Sequence, residues 1–522
     1  MIDKGRYDVI IIGGGITGAG TARDCALRGL RVLLVERGDI AMGASGRNHG
    51  LLHSGARYAV TDSEGAAECI VENGILKRIA APYVMATDGL FITLPEDDLA
   101  YQRTFVEACQ RVGISAEEIS PEEALRLEPA VNPALVGAVR VPDGSVEPFG
   151  LVAANVLDAR MNGAELLTYH KVVDFIRCQN RIEGVELFDT TTGERVRAYA
   201  PVTVNAAGIW GQEVAQVAGV EMGMYPAKGS LLVFGRRVNN MVINRCRKPA
   251  DADILVPGGN VCVIGATSKR IAFDEVDRNE VTPEEVDILL REGEKLAPSL
   301  ASTRILRAYS GVRPLVADDS DPTGRGISRG IVCLDHAERD GLEGFVTITG
   351  GKLMTYRLMA EWATDVVCRK VGNTQSSVTA TTPLPDIKAT NPEVGDGKRS
   401  EYISLGGVKS SPLVCVCEGL TVDNVRSAVD NLGATSVVDL RRRTRLGMGG
   451  CMEHFCSLRA AGVLAQGTDL GTAFEGAERF HEERWRGIRP VAWGEGLATA
   501  QFTRWFYDGV CGLEDAKKEE NE

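Results

Sequence analysis

Three constellations in this 522-residue chain have the residue types and spacing to do chemistry. Gly13, Gly15 and Gly18 form a G-x-G-x-x-G fingerprint between an apolar run and an alanine-rich stretch. The first glycine allows a tight turn, the second a close backbone approach to a pyrophosphate, and the third helix–strand packing. Glu36 ends the next apolar run, where an acid can accept hydrogen bonds from ribose hydroxyls. The second constellation is His49 and His53 in SGRNHGLLHSGARY (45–58), with Arg57 beside them and Arg313 and Lys352 far along the chain. The histidine spacing can hold zinc, but no acid follows in the H-E-x-x-H pattern and no third ligand is near. Histidine also suits a general base, because its pKa lies near working pH. Arginine and lysine next to glycine turns suit an anion clamp, a fork and a point charge respectively.

The third constellation is Cys415 and Cys417 in LVCVCE, with Cys451 and Cys456 farther on. A disulfide across one intervening residue is strained, since bridged Cα atoms prefer roughly 5.5–6 Å. Four thiols in two close pairs match a four-thiolate site better than scattered core cysteines. Zinc favours wider Cys-x₂₋₄-Cys knuckles, whereas a 2Fe–2S cluster takes four thiolates. Zinc and plain buried thiols remain the alternatives. His454 is a candidate fifth ligand. Arg441, Arg442, Arg443 and Arg445 lie between the pairs and read first as a solvated helix face, with steadying a reduced cluster or docking a partner as the other uses.

These groups must be positioned by regular elements. An apolar strand Val9–Ile12, a helix and a second strand Val32–Val35 make a βαβ unit. Strands are also expected at 231–234, 261–266 and 344–349, and helices at 283–296 and 353–370. VTVNAAGIWG (202–211) reads as a strand ending in small residues. FVTITGGKLMTYRLMAEWA (345–363) is a strand, a Gly350–Gly351 turn and a helix whose N-terminus faces something electron-rich, as a reduced flavin is. One N-terminal βαβ with a second glycine turn far downstream suits a discontinuous FAD domain. The expected organisation is an oxidoreductase domain over 1–384, with FAD-binding parts at about 1–80, 145–215 and 325–375. A polar linker over 385–412, a C-terminal domain over 413–511 and a disordered tail over 512–522 follow.

The net charge of −13 argues against nucleic-acid binding. It leaves an anionic small substrate open, since a few arginines in a cleft outweigh the global sign. No apolar run is long enough for a membrane-spanning helix, and the N-terminus lacks signal-peptide features. The chain therefore reads as cytoplasmic, and thirteen cysteines there are free thiols, metal ligands or redox centres.

Long runs carry a specific resemblance: GRNHGLLHSGARYAVTD, FITLPEDDL, VNAAGIWGQ, INRCRKP, DADILVPG, RILRAYSGVRPLVA, ITGGKLMTYRLMAEWATD and DLRRRTRLGMG. Over nearly the whole chain the sequence resembles the FAD-dependent glycerol-3-phosphate dehydrogenase family. The resemblance implies an α/β fold: a Rossmann-like FAD domain of the D-amino-acid-oxidase and glutathione-reductase kind, with an interleaved antiparallel-sheet substrate domain. The end of the chain resembles a small, mostly helical ferredoxin-associated domain with four cysteines around a 2Fe–2S cluster. His53, Arg57, Arg313 and Lys352 match substrate-pocket positions. Gly350, Gly351 and Leu353 match positions beside the flavin ring, and Ala207, Gly208 and Ser45 match further FAD-holding positions. The implied reaction is oxidation of sn-glycerol 3-phosphate by hydride transfer to FAD. Electrons would leave through the iron–sulfur centre to companion chains, namely an iron–sulfur membrane anchor and a second flavin-type subunit, and reach a quinone. The implied location is the cytoplasmic side of the inner membrane, held there peripherally. The rivals are an oxidase or amine dehydrogenase of the same fold and a non-catalytic electron carrier.

Overall fold

The structure, a computed structural model, describes residues 2–316, 330–387, 411–451, 455–467 and 469–512. His454, most of the linker and nearly all of the tail lie outside the described residues.

The nucleotide sheet runs in the order Glu165–Leu167, Val32–Val35, Val9–Ile12, Thr203–Asn205, Phe345–Gly350, Ile331–Asp335. The first five strands are parallel and the edge strand Ile331–Asp335 is antiparallel. VIII (9–12) and VLLV (32–35) are buried at every position, which is how a parallel strand covered on both faces reads. One face is covered by the helices Ile16–Leu27, Pro148–Met161 and Tyr356–Val371. The first of these presents Gly18, Ala19, Gly20 and Ala22, so its neighbours come close. A Cβ on Gly20 would stand 2.8 Å from the ring of Tyr356. The other face packs on the meander His170–Cys178, Arg181–Asp189 and Arg195–Tyr199.

A second, mixed sheet holds the long antiparallel pair Tyr225–Phe234 and Ile305–Leu315. Its strands Cys262–Gly265, Ile254–Pro257, Val242–Arg245, Gly89–Thr93 and Gly137–Val141 continue it outward. The helix Pro283–Leu296 covers it with Val286, Leu289 and Leu296. Thr282 caps that helix by accepting from the Glu285 N–H, and Pro283 sits at its first turn, both strong start signals.

The expected strands and helices are present with small boundary shifts. The strand around 231–234 extends back to Tyr225, and the helix after the second glycine turn begins at Tyr356, behind a short 3₁₀ turn Leu353–Thr355.

The C-terminal region has its own core, built on Val425, Val437, Leu440, Ala460 and Phe480. A short hairpin, Leu413–Cys415 with Leu420–Thr421, precedes the helices Val422–Leu432, Val437–Thr444, Cys456–Leu464, Leu470–Ile488 and Gly494–Trp505.

The four interposed arginines are not a solvated face, which corrects the first sequence reading. Arg442 and Arg443 are buried and both bond Asp39, in the loop after Val32–Val35. Arg441 and Arg442 bond Glu483. Arg445 spans Glu418 and Glu147. Periodicity saw a charge run; docking against buried carboxylates turned it into an interface. Tyr169, whose hydroxyl donates to Asp439 at 2.5 Å, and Arg160, which donates to the Asn431 carbonyl at 2.6 Å, extend that interface.

Candidate active site and thiolate centre

The glycine fingerprint makes a cradle that only glycine fits. Gly13 has φ +114°, and a Cβ there would lie 2.6 Å from the Ala206 carbonyl oxygen. A Cβ on Gly18 would lie 1.9 Å from the Gly13 carbonyl oxygen. The helix Ile16–Leu27 opens at Gly15 with no side-chain cap, leaving N–H groups and the positive dipole end for a phosphate. Ser45 Oγ accepts from the Ile16 N–H at 2.9 Å. Glu36 accepts from the Gly14 N–H at 2.7 Å and the Gly38 N–H at 2.8 Å. Burial pushes its carboxyl up while the Gly38 and Gly14 N–H groups pull it down. A carboxylate has about four lone-pair sites, so two of them remain for ribose hydroxyls. Glycine cradle, open helix end and terminal acid together fit the diphosphate and ribose of FAD. The loop after strand Thr203–Asn205 is shaped by Asn205, whose Oδ1 accepts from the Ala207 N–H, and by Gly208 at φ +58°.

His53 follows the short strand Leu51–Leu52. The next residues are anchored: the Ser54 N–H and hydroxyl both donate to the buried Asp143 at 2.7 and 2.8 Å. Gly55 turns the chain at φ +99°, where a Cβ would lie 2.5 Å from the Ala66 carbonyl oxygen. The 3₁₀ turn Ala56–Tyr58 then brings Tyr58 back to His53, their ring centroids 5.1 Å apart. Lys352 reaches the same ring, its Nζ 5.0 Å from the Tyr58 centroid and 3.9 Å from Asp62. Its side chain is 5% exposed. Gly350 and Gly351, at φ +73° and +62°, make the turn that places it. A Cβ on Gly351 would meet Met359 Sδ at 2.4 Å. Leu353, at the start of the following 3₁₀ turn, packs against the helical face of the nucleotide sheet.

The two arginines are held differently. Arg57 bonds Asp253 at 2.7 Å, and its Nη1 is buried without a hydrogen-bond partner among the described residues. Arg247 shares Asp253. Burial works to raise the Asp253 carboxyl, but Arg57 and Arg247 overcome this and hold it below the usual range. Arg313 donates to the Lys228 and Thr267 carbonyls and to the Ser268 hydroxyl at 3.0–3.3 Å. Gly229 makes room for it, since a Cβ there would lie 2.6 Å from Arg313 Nη2. The structure thus brings His53 and Lys352 together around Tyr58 and sets Arg57 one residue away. Arg313 stands on the neighbouring sheet. His49 keeps a local role: its Nδ1 accepts from the Leu51 N–H at 3.2 Å. Sequence reasoning passed over Tyr58 as the shared surface and Asp253 as the anchor of Arg57. The adjacency of Arg57 and Tyr58 was visible; the partner residue far down the chain was not.

The four cysteines pair across the two motifs. Cys456 acts on the Cys415 thiol, and Cys451 on the Cys417 thiol. The Cys415 thiol is pulled down to about 6 by Cys456 first and, against burial, by the Gly447 and Glu418 N–H groups. Burial and Cys451 push the Cys417 thiol up. Cys456 is the first residue of helix Cys456–Leu464, where the positive dipole end favours a thiolate. Gly449 lets the chain wrap the site, since a Cβ there would lie 2.2 Å from Cys417 Cβ. Among the described residues, no three His, Cys, Asp or Glu side chains gather as a single-ion site. Two thiol pairs suit two irons, each with two thiolates, better than one closed zinc shell.

Comparison with known proteins agrees with both centres. Residues 8–357 match the FAD dependent oxidoreductase family, and residues 413–466 match the BFD-like [2Fe-2S] binding domain. The chain is 60% identical to one of the named subunits of the anaerobic glycerol-3-phosphate dehydrogenase of Escherichia coli K12, over 99% of each chain. It is 57% identical to the same subunit of the Haemophilus influenzae enzyme, over 98% of this chain and 94% of that one. A solved glycerol-3-phosphate dehydrogenase from Bacillus halodurans, complexed with FAD, shares the fold at TM-score 0.66 and 19% identity, over 93% of this chain and 96% of that one. The cradle, the paired thiols and these similarities together make this chain a member of the FAD-dependent oxidoreductases, in the family of these anaerobic glycerol-3-phosphate dehydrogenase subunits, with a C-terminal [2Fe–2S] binding domain.

Proposed function

We propose that the chain oxidises sn-glycerol 3-phosphate at C2 to dihydroxyacetone phosphate and passes the electrons onward one at a time. The observation that carries this reading is the position of Lys352. A buried ammonium follows a glycine turn at the end of the nucleotide sheet and shares the Tyr58 ring with His53. A cation and a base at one point suit a substrate with an anionic end and a hydroxyl to be deprotonated.

Lys352 holds the phosphate as a point charge, and Arg313 adds a planar fork from the facing sheet. Arg57 contributes Nη1, its other side being fixed by Asp253. His53 takes the C2 hydroxyl proton. Tyr58 limits where both can lie, so the C2 hydrogen is presented in one orientation; such positioning is worth about 7–11 kcal/mol at best. When bound, FAD supplies a hydride acceptor whose electrons can leave singly. Gly13, Gly15, Gly18, Glu36, Ser45, Ala207 and Gly208 would hold it, with Gly350, Gly351 and Leu353 as further residues of its site. Cys415, Cys417, Cys451 and Cys456 would hold a [2Fe–2S] centre, which would supply one-electron transfer.

Among the described residues no helix is long and apolar enough to cross a membrane. In our reading, companion chains (an iron–sulfur anchor and a second flavin-type subunit) hold this one at the cytoplasmic face of the inner membrane and carry electrons to a quinone. The relatives are named as one subunit of their enzyme, which supports an assembly of several chains.

The test is an anaerobic visible spectrum of the FAD-loaded chain before and after substrate. Bleaching by glycerol 3-phosphate but not by glycerol is expected. No bleaching would overturn the reading and favour an electron carrier. Rapid oxygen uptake with peroxide release would favour an oxidase instead.

A further inference from the structure

A cavity of about 2110 Å³ lies between the C-terminal helices, the second sheet and the loop around residues 46–50. None of Gly13, Gly15, Gly18, Glu36, His53 or Lys352 lines it, so it is separate from the cradle and from the substrate residues. Its lining carries charges of both signs, with carboxylates such as Asp277, Glu280, Glu418 and Glu475, but Arg47, Arg307, Arg441, Arg442 and Arg484 all face it. Glu483 is the carboxylate on which Arg441, Arg442, Arg47 and Arg307 act. Glu483 bonds Arg441 and Arg442, each at 3.1 Å. Burial works to raise the Glu483 carboxyl, but Arg441, Arg442, Arg47 and Arg307 hold it at about 2. Asp39 answers Arg442 and Arg443 outside this group.

Arg307 is left over. It makes no hydrogen bond or ion pair among the described residues; its nearest ring is Tyr309, 5.9 Å away. Burial, then Arg441 and Arg484, push its guanidinium down to about 9. A half-buried guanidinium with no hydrogen-bond partner, beside two further arginines, is costly unless an anion answers it. The wall beside Arg307 is apolar: Val233, Val261 and Val263 line the cavity from the second sheet, next to the Tyr309 ring. A cationic end against an apolar wall, in a space larger than a single small ion needs, is the shape of an organic-phosphate site.

We propose that this interdomain cavity binds a phosphate-bearing small molecule, its phosphate on Arg307 and the neighbouring arginines and its apolar body along Val233, Val261 and Val263. Such a ligand lies between the loop around residues 46–50 and the C-terminal helices, distinct from the substrate. The site does not depend on the proposed reaction.

The test uses the full chain loaded with FAD and cluster, titrated calorimetrically with phenyl phosphate and with inorganic phosphate. Phenyl phosphate is expected to saturate one site per chain, at least fivefold tighter than inorganic phosphate. Arg307→Gln and Arg47→Gln should each weaken it at least tenfold, while Lys352→Met leaves it unchanged. If Arg307→Gln loses flavin or cluster absorbance, Arg47→Gln carries the comparison. No saturable binding overturns the proposal and leaves the arginines as counter-charge to the thiolate centre. Binding lost in Lys352→Met but kept in the two arginine variants also overturns it, by assigning the probe to the substrate pocket. Equal affinity for the two phosphates overturns the apolar half and reduces the cavity to a simple anion site.

Discussion

Arg443 and Asp39, 404 residues apart in the chain, form a fully buried ion pair at 2.7 Å, joining the thiolate domain to the loop that follows the second strand of the nucleotide sheet. Arg442 bonds the same carboxylate. Removing one partner of a buried pair leaves an uncompensated charge and costs about 3–5 kcal/mol. Asp39→Ala should therefore loosen the C-terminal domain while leaving the FAD cradle intact. A separate low-temperature calorimetric transition, with flavin absorbance retained until the second one, is the expected result. A single unshifted transition contradicts it.

Glu483 gives the same interface a pH signature. Its folded carboxyl is held at about 2 by Arg441, Arg442, Arg47 and Arg307 against burial, below the unfolded glutamate value of about 4.3. A depressed carboxyl adds stability that is fully present above the unfolded value and is lost as pH falls through the folded one. Docking should thus weaken between about pH 4.3 and 2. Glu483→Gln should flatten that part of the stability profile, followed by the fluorescence of the half-exposed Trp485. An unchanged acid profile in the variant would remove Glu483 from the account.

The substrate clamp is tested by Arg313→Ala and Lys352→Met. Each leaves an anion poorly matched, worth about 2–5 kcal/mol when the pair is desolvated. Values of kcat/KM for glycerol 3-phosphate should fall at least tenfold, with FAD content unchanged. A smaller loss in either variant removes that residue from the clamp.

Cys456→Ser separates the two redox centres. The Cys415–Cys456 pair is broken, so iron content and the cluster's electron paramagnetic resonance signal should disappear. Substrate should still bleach the flavin. Retention of a full complement of iron would mean that Cys456 is not a ligand.

Gly18→Ala tests the cradle without touching chemistry. The new methyl group would stand 1.9 Å from the Gly13 carbonyl oxygen, so strand or helix must shift. FAD affinity should drop by at least tenfold, about 1.4 kcal/mol, measured by flavin retention on gel filtration.

Much of this molecule is legible in local sequence because its physics is local. VIII and VLLV are buried on both faces and therefore read as apolar runs. Gly13, Gly18, Gly350 and Gly351 stand where a Cβ collides with neighbouring atoms, so the residue type itself reports the turn. The two thiol motifs announce a four-thiolate site by composition and spacing, and the strand–glycine–helix order names the nucleotide cradle. What only the tertiary structure decided is the pairing of distant groups. Cys456, 41 residues on in the chain, comes to act on Cys415. Lys352 and His53 meet on Tyr58 because a glycine turn and an anchored loop converge from opposite ends of the oxidoreductase domain. RRRTR reads as a solvated helix face because nothing in a run of charges says which carboxylates will close over it. Asp39, Glu147 and Glu483 come from three other segments, and burial against them makes the run an interface. Periodicity reports which side of an element is apolar; it carries no information about which distant charge will be desolvated with it.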